Sequence, residues 1–374
     1  MEITGAVLEE LARPAPYARS RPLTVGVLEL DPPGPGELLV EVEAAGVCHS
    51  DLSVVDGSRP RPVPMVLGHE AAGLVRELGS GVDDVALGDR VVMTFLPRCG
   101  RCAPCGTGGR LPCAAGFAAN AAGTLLGGAQ RLHRRGEDGR RHALAHHLGV
   151  SAFASHAVVS RASVVPVEPD VPADVAALLG CAVLTGGGAV LNAGRPAEGE
   201  AVVVVGLGGV GLAAVLVARA LGHEVIGVDA LESKLEAARP YASAVLAPQE
   251  AVERGTTAPV VVEAAGAARA LETALALTAE GGTTVTVGLP AADARASVSP
   301  LGLVAGARSL VGSYLGSSVP SRDVPRYARL WREGRLPLEA LISARVPLSR
   351  VDEAMDDLAE GRALRQVLLP GAAA

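Results

Sequence analysis

The chain is 374 residues long, 49% hydrophobic, 20% charged and 2% aromatic, with a formal net charge of −7. That length predicts two domains at about 100–200 residues each, and that apolar share excludes an intrinsically disordered chain. The acidic balance argues against a general nucleic-acid binder, which carries a basic surplus.

Met1-Glu2-Ile3-Thr4 has no basic region followed by an apolar one, so no secretory signal is expected and a cytoplasmic location is. Residues 36–44 alternate polar and apolar, which predicts a half-buried strand. Residues 66–78 and 89–93 predict further strands between Gly- and Asp-containing turns. Residues 98–150 are rich in Gly, Arg and His with weak periodicity. They read as a long excursion that needs a staple.

The pattern changes near residue 185. Residues 201–205 predict a strand and 211–221 a helix; 224–228 and 233–239 repeat the pair, and 260–263 and 283–287 add strands. This alternation implies a parallel, doubly wound sheet. Residues 325–335 and 351–360 predict helices and 365–369 a closing strand. Residues 201–218 carry no charge over 18 positions, at the threshold for a membrane span, but Gly206, Gly208, Gly209 and Gly211 interrupt them. Strand, glycine turn and helix is the better reading, and no membrane association is expected.

Gly206-Leu207-Gly208-Gly209-Val210-Gly211 fits G-x-G-x-x-G after a strand and at the start of a helix. The first glycine allows the turn, the second lets a pyrophosphate approach the backbone, and the third lets helix pack on strand. Free N–H groups at the helix start then face the phosphates. Asp229 follows 18 residues after Gly211, near the expected ~20. A carboxylate there binds ribose hydroxyls and repels a 2′-phosphate, favouring NAD over NADP. Lys234, the lone lysine, lies five residues further on and is placed to reach the same ribose.

Cys99, Cys102, Cys105 and Cys113 place four thiols within 15 positions. Four thiolates close a tetrahedral zinc site, and this spacing in such a chain reads as metal rather than disulfides. An iron–sulfur cluster also takes four thiolates; structural zinc is the preferred reading. Cys48, His69 and Cys181 would make a three-donor zinc site with one open position. Spacing alone does not show that they meet. Cys181 as a core residue and His69 as a structural histidine remain open.

These residues, in this order and separation, carry a resemblance. The carrying segments are Gly46-Val47-Cys48-His49-Ser50-Asp51, Gly68-His69-Glu70-Ala71-Ala72-Gly73, the four-cysteine loop, Leu179-Gly180-Cys181, the glycine turn with Asp229, and Gly361-Arg362-Ala363-Leu364-Arg365. Over essentially its whole length the chain resembles the zinc-dependent alcohol dehydrogenases of the medium-chain dehydrogenase/reductase family. The resemblance implies an α/β fold: a GroES-like β-rich catalytic domain plus a doubly wound Rossmann dinucleotide-binding domain. The boundaries expected are residues 1–184 for the first part of the catalytic domain, 185–322 for the Rossmann domain and 323–374 for the C-terminal return. The active site would lie in the cleft between the domains.

The resemblance further implies two zinc ions per chain and NAD, with hydride transfer between an alcohol and the nicotinamide, or an aldehyde or ketone in reverse. Cys48, His69 and Cys181 would hold the catalytic zinc, Glu70 would lie behind it, and Asp51 would hydrogen-bond His69. Ser50 would bond the substrate hydroxyl and pass on its proton. Thr185 and Val210 would contact the nicotinamide, His49 and Arg365 would neutralise the pyrophosphate, and Phe95 would line the substrate pocket. Relatives assemble as homodimers or homotetramers through Rossmann sheet edges, and residues 307–316 are the candidate edge.

Two departures stand out. Ser53 occupies the position where many members carry a proton-relaying histidine, so a relay through water is expected. Residues 148–153 resemble the glutathione-dependent formaldehyde dehydrogenase branch, which makes a thiol-adduct (S-hydroxymethyl) substrate the alternative. That branch grips its adduct with an arginine where this chain has Phe117, and with acids where it has Arg59 and Arg61. The two arginines leave an anionic substrate as a further possibility beside a solvated loop.

Overall fold

The computed structural model describes residues 1–372 and divides the chain into two compact units. The first holds Met1–Thr107, Pro112–Cys181 and Ile342–Ala374; the second holds Gly108–Leu111 and Ala182–Leu341.

The first unit is built on two sheets. The strand Glu37–Val47 is the spine of the larger one. Ala71–Leu78 pairs along one edge, while His156–Ser160 and Arg365–Leu369 share the other, against residues 37–41 and 45–47 respectively. The expected half-buried alternation is therefore only partial. The strand is buried along most of its length, and its two partly exposed acids, Glu41 and Glu43, pair with Arg76 and Arg90. Val47 lies next to the returning C-terminal strand, so the last residues of the chain brace the approach to Cys48.

The second sheet runs Arg141–Ala143, Leu132–Arg135, Leu23–Leu30, Glu2–Leu8, Met65–Val66, Ala145–His146. Three of these strands come from residues 98–150. That segment is thus only partly the loose excursion expected: 99–113 depends on its cysteines, while 132–146 is held by strand pairing.

The second unit carries six parallel strands in the order Ala244–Leu246, Val225–Val228, Val202–Val205, Ala258–Glu263, Thr278–Thr286, Ser309–Gly312. Numbered along the chain, this is 3-2-1-4-5-6, the doubly wound order with its switch point at the first and fourth strands. The first strand is four buried valines, as burial on both faces requires. Residues 201–218 divide between this strand and the helix Gly209–Ala220. The longest apolar helix lies elsewhere, at Ala173–Gly194, and 89% of its most apolar window is buried inside the protein.

Several boundaries differ from expectation, beginning with the second unit, which takes up the chain at Ala182 rather than 185. The helix expected from 325 begins at Pro320, an earlier proline at the first helical position. It belongs to the second unit, which ends at Leu341 rather than 322. Asp323 explains this: its buried carboxylate binds Arg322, Asn192 and the Val319 N–H, all in that unit. The expected edge strand 307–316 is cut to Ser309–Gly312, because Leu315, Gly316 and Ser317 turn in left-handed conformation.

The C-terminal helix Val351–Ala359 is tied to the N-terminal turn by two carboxylates. Asp356 accepts the N–H groups of Tyr17 and Ala18, and Asp352 accepts that of Leu23. Burial pushes the Asp352 carboxyl up to about 6, with the Leu23 N–H pulling the other way. The folded chain therefore holds this proton more tightly than the unfolded chain does. Stability from it falls as pH rises from ~4 to ~6 and stays flat above. Asp352→Asn keeps an acceptor and removes the charge. Thermal denaturation should find it more stable than wild type at pH 7, by on the order of 1 kcal/mol, and equal at pH 4.

Candidate active site and metal centres

Cys48 ends the spine strand and caps the helix His49–Val55. Its N–H donates to Asp51 Oδ2 at 3.1 Å while its thiol faces the N–H of that residue. His69 follows Gly68, whose φ of +90° lies where a side chain is strained and whose Cβ would meet Phe153 N at 2.6 Å. Cys181 sits in a π-helical turn, Leu179–Val183, a distortion that often marks functional positions. Residues 21 and 133 positions apart from Cys48 are thus brought to it, and all three side chains are buried.

Their donor atoms lie within 4.8 Å of one another, with Cys181 Sγ 3.5 Å from His69 Nε2. A thiolate at ~2.3 Å and an imidazole at ~2.0–2.1 Å from one tetrahedral ion stand about 3.5 Å apart. The residues therefore fit a zinc ion with a fourth position left for another ligand. Hydrogen bonding from Cys181 holds the Cys48 thiol well below its ordinary range, and that thiolate in turn pushes Cys181 up.

Charged neighbours surround the trio. Asp51 Oδ1 lies 3.0 Å from His69 Nδ1, leaving Nε2 towards the thiols. Burial works to raise the Asp51 carboxyl, but His69 and His147 outweigh it and bring it to about 2. Arg365 is 3% exposed; its Nη1 donates to the Val47 carbonyl and its Nε lies 3.7 Å from Glu70 Oε1. Its positive charge also favours the Cys48 thiolate. The Phe95 ring meets His69 edge to face at 5.6 Å, and its carbonyl accepts from Asn120. Ser50 is half-buried and His49 exposed on the helix that Cys48 caps; Ser53 Oγ donates back to the His49 carbonyl at 2.7 Å.

The second thiol group is local. Cys102–Cys105, Cys102–Cys113 and Cys99–Cys105 Sγ separations are 3.4, 3.9 and 4.0 Å. Tetrahedral thiolates around zinc stand about 3.8 Å apart, whereas a disulfide needs ~2.05 Å. Cys113 Sγ accepts from the N–H groups of Cys99 and Gly116. The Cys105 N–H brings Cys102 down to about 6, and burial pushes Cys105 up to about 12. Since metal binding supplies much of the folding energy of small thiolate modules, Cys105→Ser should release one metal per chain. Limited trypsin digestion should then cut at Arg101 and Arg110 at least about tenfold faster, with the rest of the chain intact.

In the second unit, Gly211 packs so tightly that a Cβ there would lie 1.7 Å from the Gly206 carbonyl, whereas nothing lies within 4 Å of one at Gly208. The turn is closed where helix meets strand and open where a ligand would approach. Gly209 and Val210 open the helix. Asp229 ends the second strand and grips the turn through the Leu207 N–H at 2.7 Å. Lys234 is buried on the next helix; burial lowers its pKa and Asp229 raises it. Thr185 is buried in its own helical segment.

Of the residues singled out from the sequence, Cys48, His69, Cys181, Asp51, Glu70, Arg365 and Phe95 gather in the first unit, and the glycine turn, Asp229 and Lys234 in the second. Sequence reasoning missed His147, whose Nδ1 lies 3.1 Å from Asp51 Oδ1. It also missed the approach of Arg365 to Glu70. Neither has a local signal, since both depend on strands distant in the chain.

Residues 34–169 match the family model described as the alcohol dehydrogenase GroES-like domain, and residues 209–333 the one described as zinc-binding dehydrogenase. Alcohol dehydrogenase B of Mycobacterium tuberculosis (strain ATCC 25618 / H37Rv) is 32% identical over 381 positions, covering 98% of each chain. A solved alcohol dehydrogenase zinc-binding domain protein from Burkholderia ambifaria matches with a TM-score of 0.90 at 31% identity over 99% of each chain. Benzyl alcohol dehydrogenase from Acinetobacter calcoaceticus matches with a TM-score of 0.88 at 28% identity, again over 99% of each. A likeness that runs from end to end, over residues that converge on two thiol-rich sites, makes this chain a member of the zinc-dependent medium-chain alcohol dehydrogenase family.

Proposed function

We propose that the protein is an NAD-dependent alcohol dehydrogenase with two zinc ions per chain, one catalytic and one structural. The observation that carries this reading is the buried Cys48, His69 and Cys181 trio, whose donor spacing suits zinc with one position open. When bound, the zinc supplies a Lewis acid for an alcohol or carbonyl oxygen and the nicotinamide supplies the hydride acceptor.

The chain's own residues do the rest. Cys48, His69 and Cys181 hold the ion, Asp51 fixes the His69 ring, and Phe95 shields the donors from water. Ser50 Oγ accepts the alcohol proton and hands it to the nicotinamide ribose. Thr185 and Val210 position the nicotinamide ring. Gly206, Gly208, Gly209 and Gly211 admit the pyrophosphate, with His49 and Arg365 supplying positive charge. Asp229 and Lys234 take the adenosine ribose. In reverse the reduced nicotinamide would supply the hydride to an aldehyde or ketone and Ser50 would return the proton. All six cysteines are free thiols, which supports a reducing, cytoplasmic setting as part of this reading.

The assembly proposed is a homodimer or homotetramer. Supporting it, Ser309–Gly312 is the outer strand of its sheet, and Leu301 and Val304 just before it are 75% and 81% exposed. Both stand on the helix Pro300–Ala305, and neighbouring exposed apolar side chains of this size suit a covered surface.

Cofactor choice and proton transfer can be tested separately. Wild type should use NAD with a kcat/KM at least about a hundredfold above that for NADP, measured with a panel of aliphatic and aromatic alcohols. Asp229→Ala should bring the ratio within about tenfold, because the repulsion of a 2′-phosphate is gone. Activity that required an added thiol would replace the simple alcohol by a thiol adduct.

Ser50→Ala should lower kcat by about 10²–10⁴-fold with zinc content unchanged. Ser53→Ala should leave both kcat and the pH–rate profile within about twofold of wild type, since Ser53 Oγ is occupied by the His49 carbonyl and is not required to titrate.

A further inference from the structure

Two imidazoles lie against the Asp51 carboxylate, and only one of them belongs to the trio with Cys48 and Cys181. Oδ1 lies 3.0 Å from His69 Nδ1, 3.1 Å from His147 Nδ1 and 3.2 Å from the Gly68 N–H. Oδ2 is held by the Cys48 N–H. The two rings meet edge to face with centroids 5.4 Å apart and planes at 86°. All three side chains are sealed from solvent.

We propose that His147 is a positioning residue for the His69 donor, fixing the carboxylate that sets the orientation of the His69 ring. The inference rests on Cys48, His69 and Cys181 being a metal site.

The backbone around His147 supports this role independently. Leu148 and Ser151 adopt φ values of +52° and +54°, a region that side-chain-bearing residues enter at a cost. The turn they form is wrapped around His147: Ser151 Oγ accepts the His147 N–H at 2.9 Å, and the N–H groups of Val150 and Ser151 reach the His147 carbonyl. The same turn is joined to the segment that carries His69. Ala152 N–H donates to the Gly68 carbonyl, Phe153 N–H to Leu67, and His147 N–H also reaches Val66. Both imidazoles therefore stand on backbones bonded to each other, with one carboxylate between them.

His146, next in the chain, serves a different end. Its Nε2 accepts the Arg131 N–H at 3.0 Å within the second sheet.

Without His147, Asp51 would keep its backbone donors but lose the ring that packs beside Oδ1, leaving a space into which the carboxylate can shift. The His69 Nδ1 proton would then have a mobile acceptor. Groups that orient a ligating histidine in this way typically change metal affinity by about ten- to a hundredfold when removed.

The test compares wild type, His147→Phe and His147→Asn. Metal release to a chelator is followed for both sites, together with the ligand-field spectrum of the cobalt-substituted protein and its Tm. In wild type two metals per chain are expected; one metal, held by the four cysteines alone, would sink the reading of the trio before any variant is made. In His147→Phe the trio's metal should be released at a chelator concentration about ten- to a hundredfold lower. The cobalt bands should shift, and the four-cysteine metal should be held as in wild type. His147→Asn, whose amide can still donate to Asp51, should recover most of the affinity.

Unchanged release and an unchanged spectrum in His147→Phe would overturn the proposal. So would parallel loss of both metals with a lowered Tm, which is what a purely structural residue predicts. If His147→Phe does not fold, His147→Ala takes its place with free imidazole added, and failure of imidazole to restore metal affinity counts against the proposal.

Discussion

Among the described residues, no Lys or Arg forms an ion pair with the fully buried Asp51 carboxylate. Taking such a charge out of water costs several kcal/mol, and a buried carboxylate persists only where N–H groups replace its hydration. Here the N–H groups come from Cys48 and Gly68, with the nitrogens of His69 and His147 alongside. That requirement explains much of the first unit. It draws the end of the spine strand, the Gly68 turn and the strained turn at 147–151 to one point. It also needs Gly68 in its left-handed conformation, because a side chain there would collide with Phe153.

Much of this was legible in the sequence where the signal is local. The strand, glycine turn and helix at 202–220 repeat a short pattern whose hydrogen bonds and packing are made between near neighbours. The four cysteines lie close enough in sequence that one loop can gather them, and the structure does so. Cys48, His69 and Cys181 are different. Their meeting depends on sheet pairing between strands far apart in the chain, so spacing left it open and only the family resemblance named them together. His147 had neither aid, since it lies in a segment with weak periodicity and acts through a contact with Asp51 on a distant helix.

The misplaced boundary at 322 has a similar cause. The helix Pro320–Arg332 shows a strong amphipathic pattern, but periodicity says which face is buried and not what buries it. The answer lies in Asn192, whose amide reaches the Asp323 carboxylate across 131 positions of sequence. Likewise the sequence shows nothing of what Arg365 packs against. In the fold its guanidinium is tied to Val47 and faces Glu70, because Arg365–Leu369 pairs with the strand leading into Cys48.

Charge arithmetic accounts for the different settings of the two thiol groups. Two thiolates and a neutral imidazole around a dication would sum to zero, the negative Glu70 faces the positive Arg365, and Asp51 is left with one negative charge that the Cys48 and Gly68 N–H groups meet. A site that carries so little net charge can be sealed from water, and this one is. Four thiolates around a dication leave two negative charges over. Cys99, Cys102 and Cys105 accordingly remain partly exposed, where water screens them. Only Cys113 is buried, and its Sγ accepts the N–H groups of Cys99 and Gly116. The depth of each group thus follows from the charge it must carry. A buried four-thiolate site or an exposed three-donor site would each leave electrostatic work undone that this arrangement avoids.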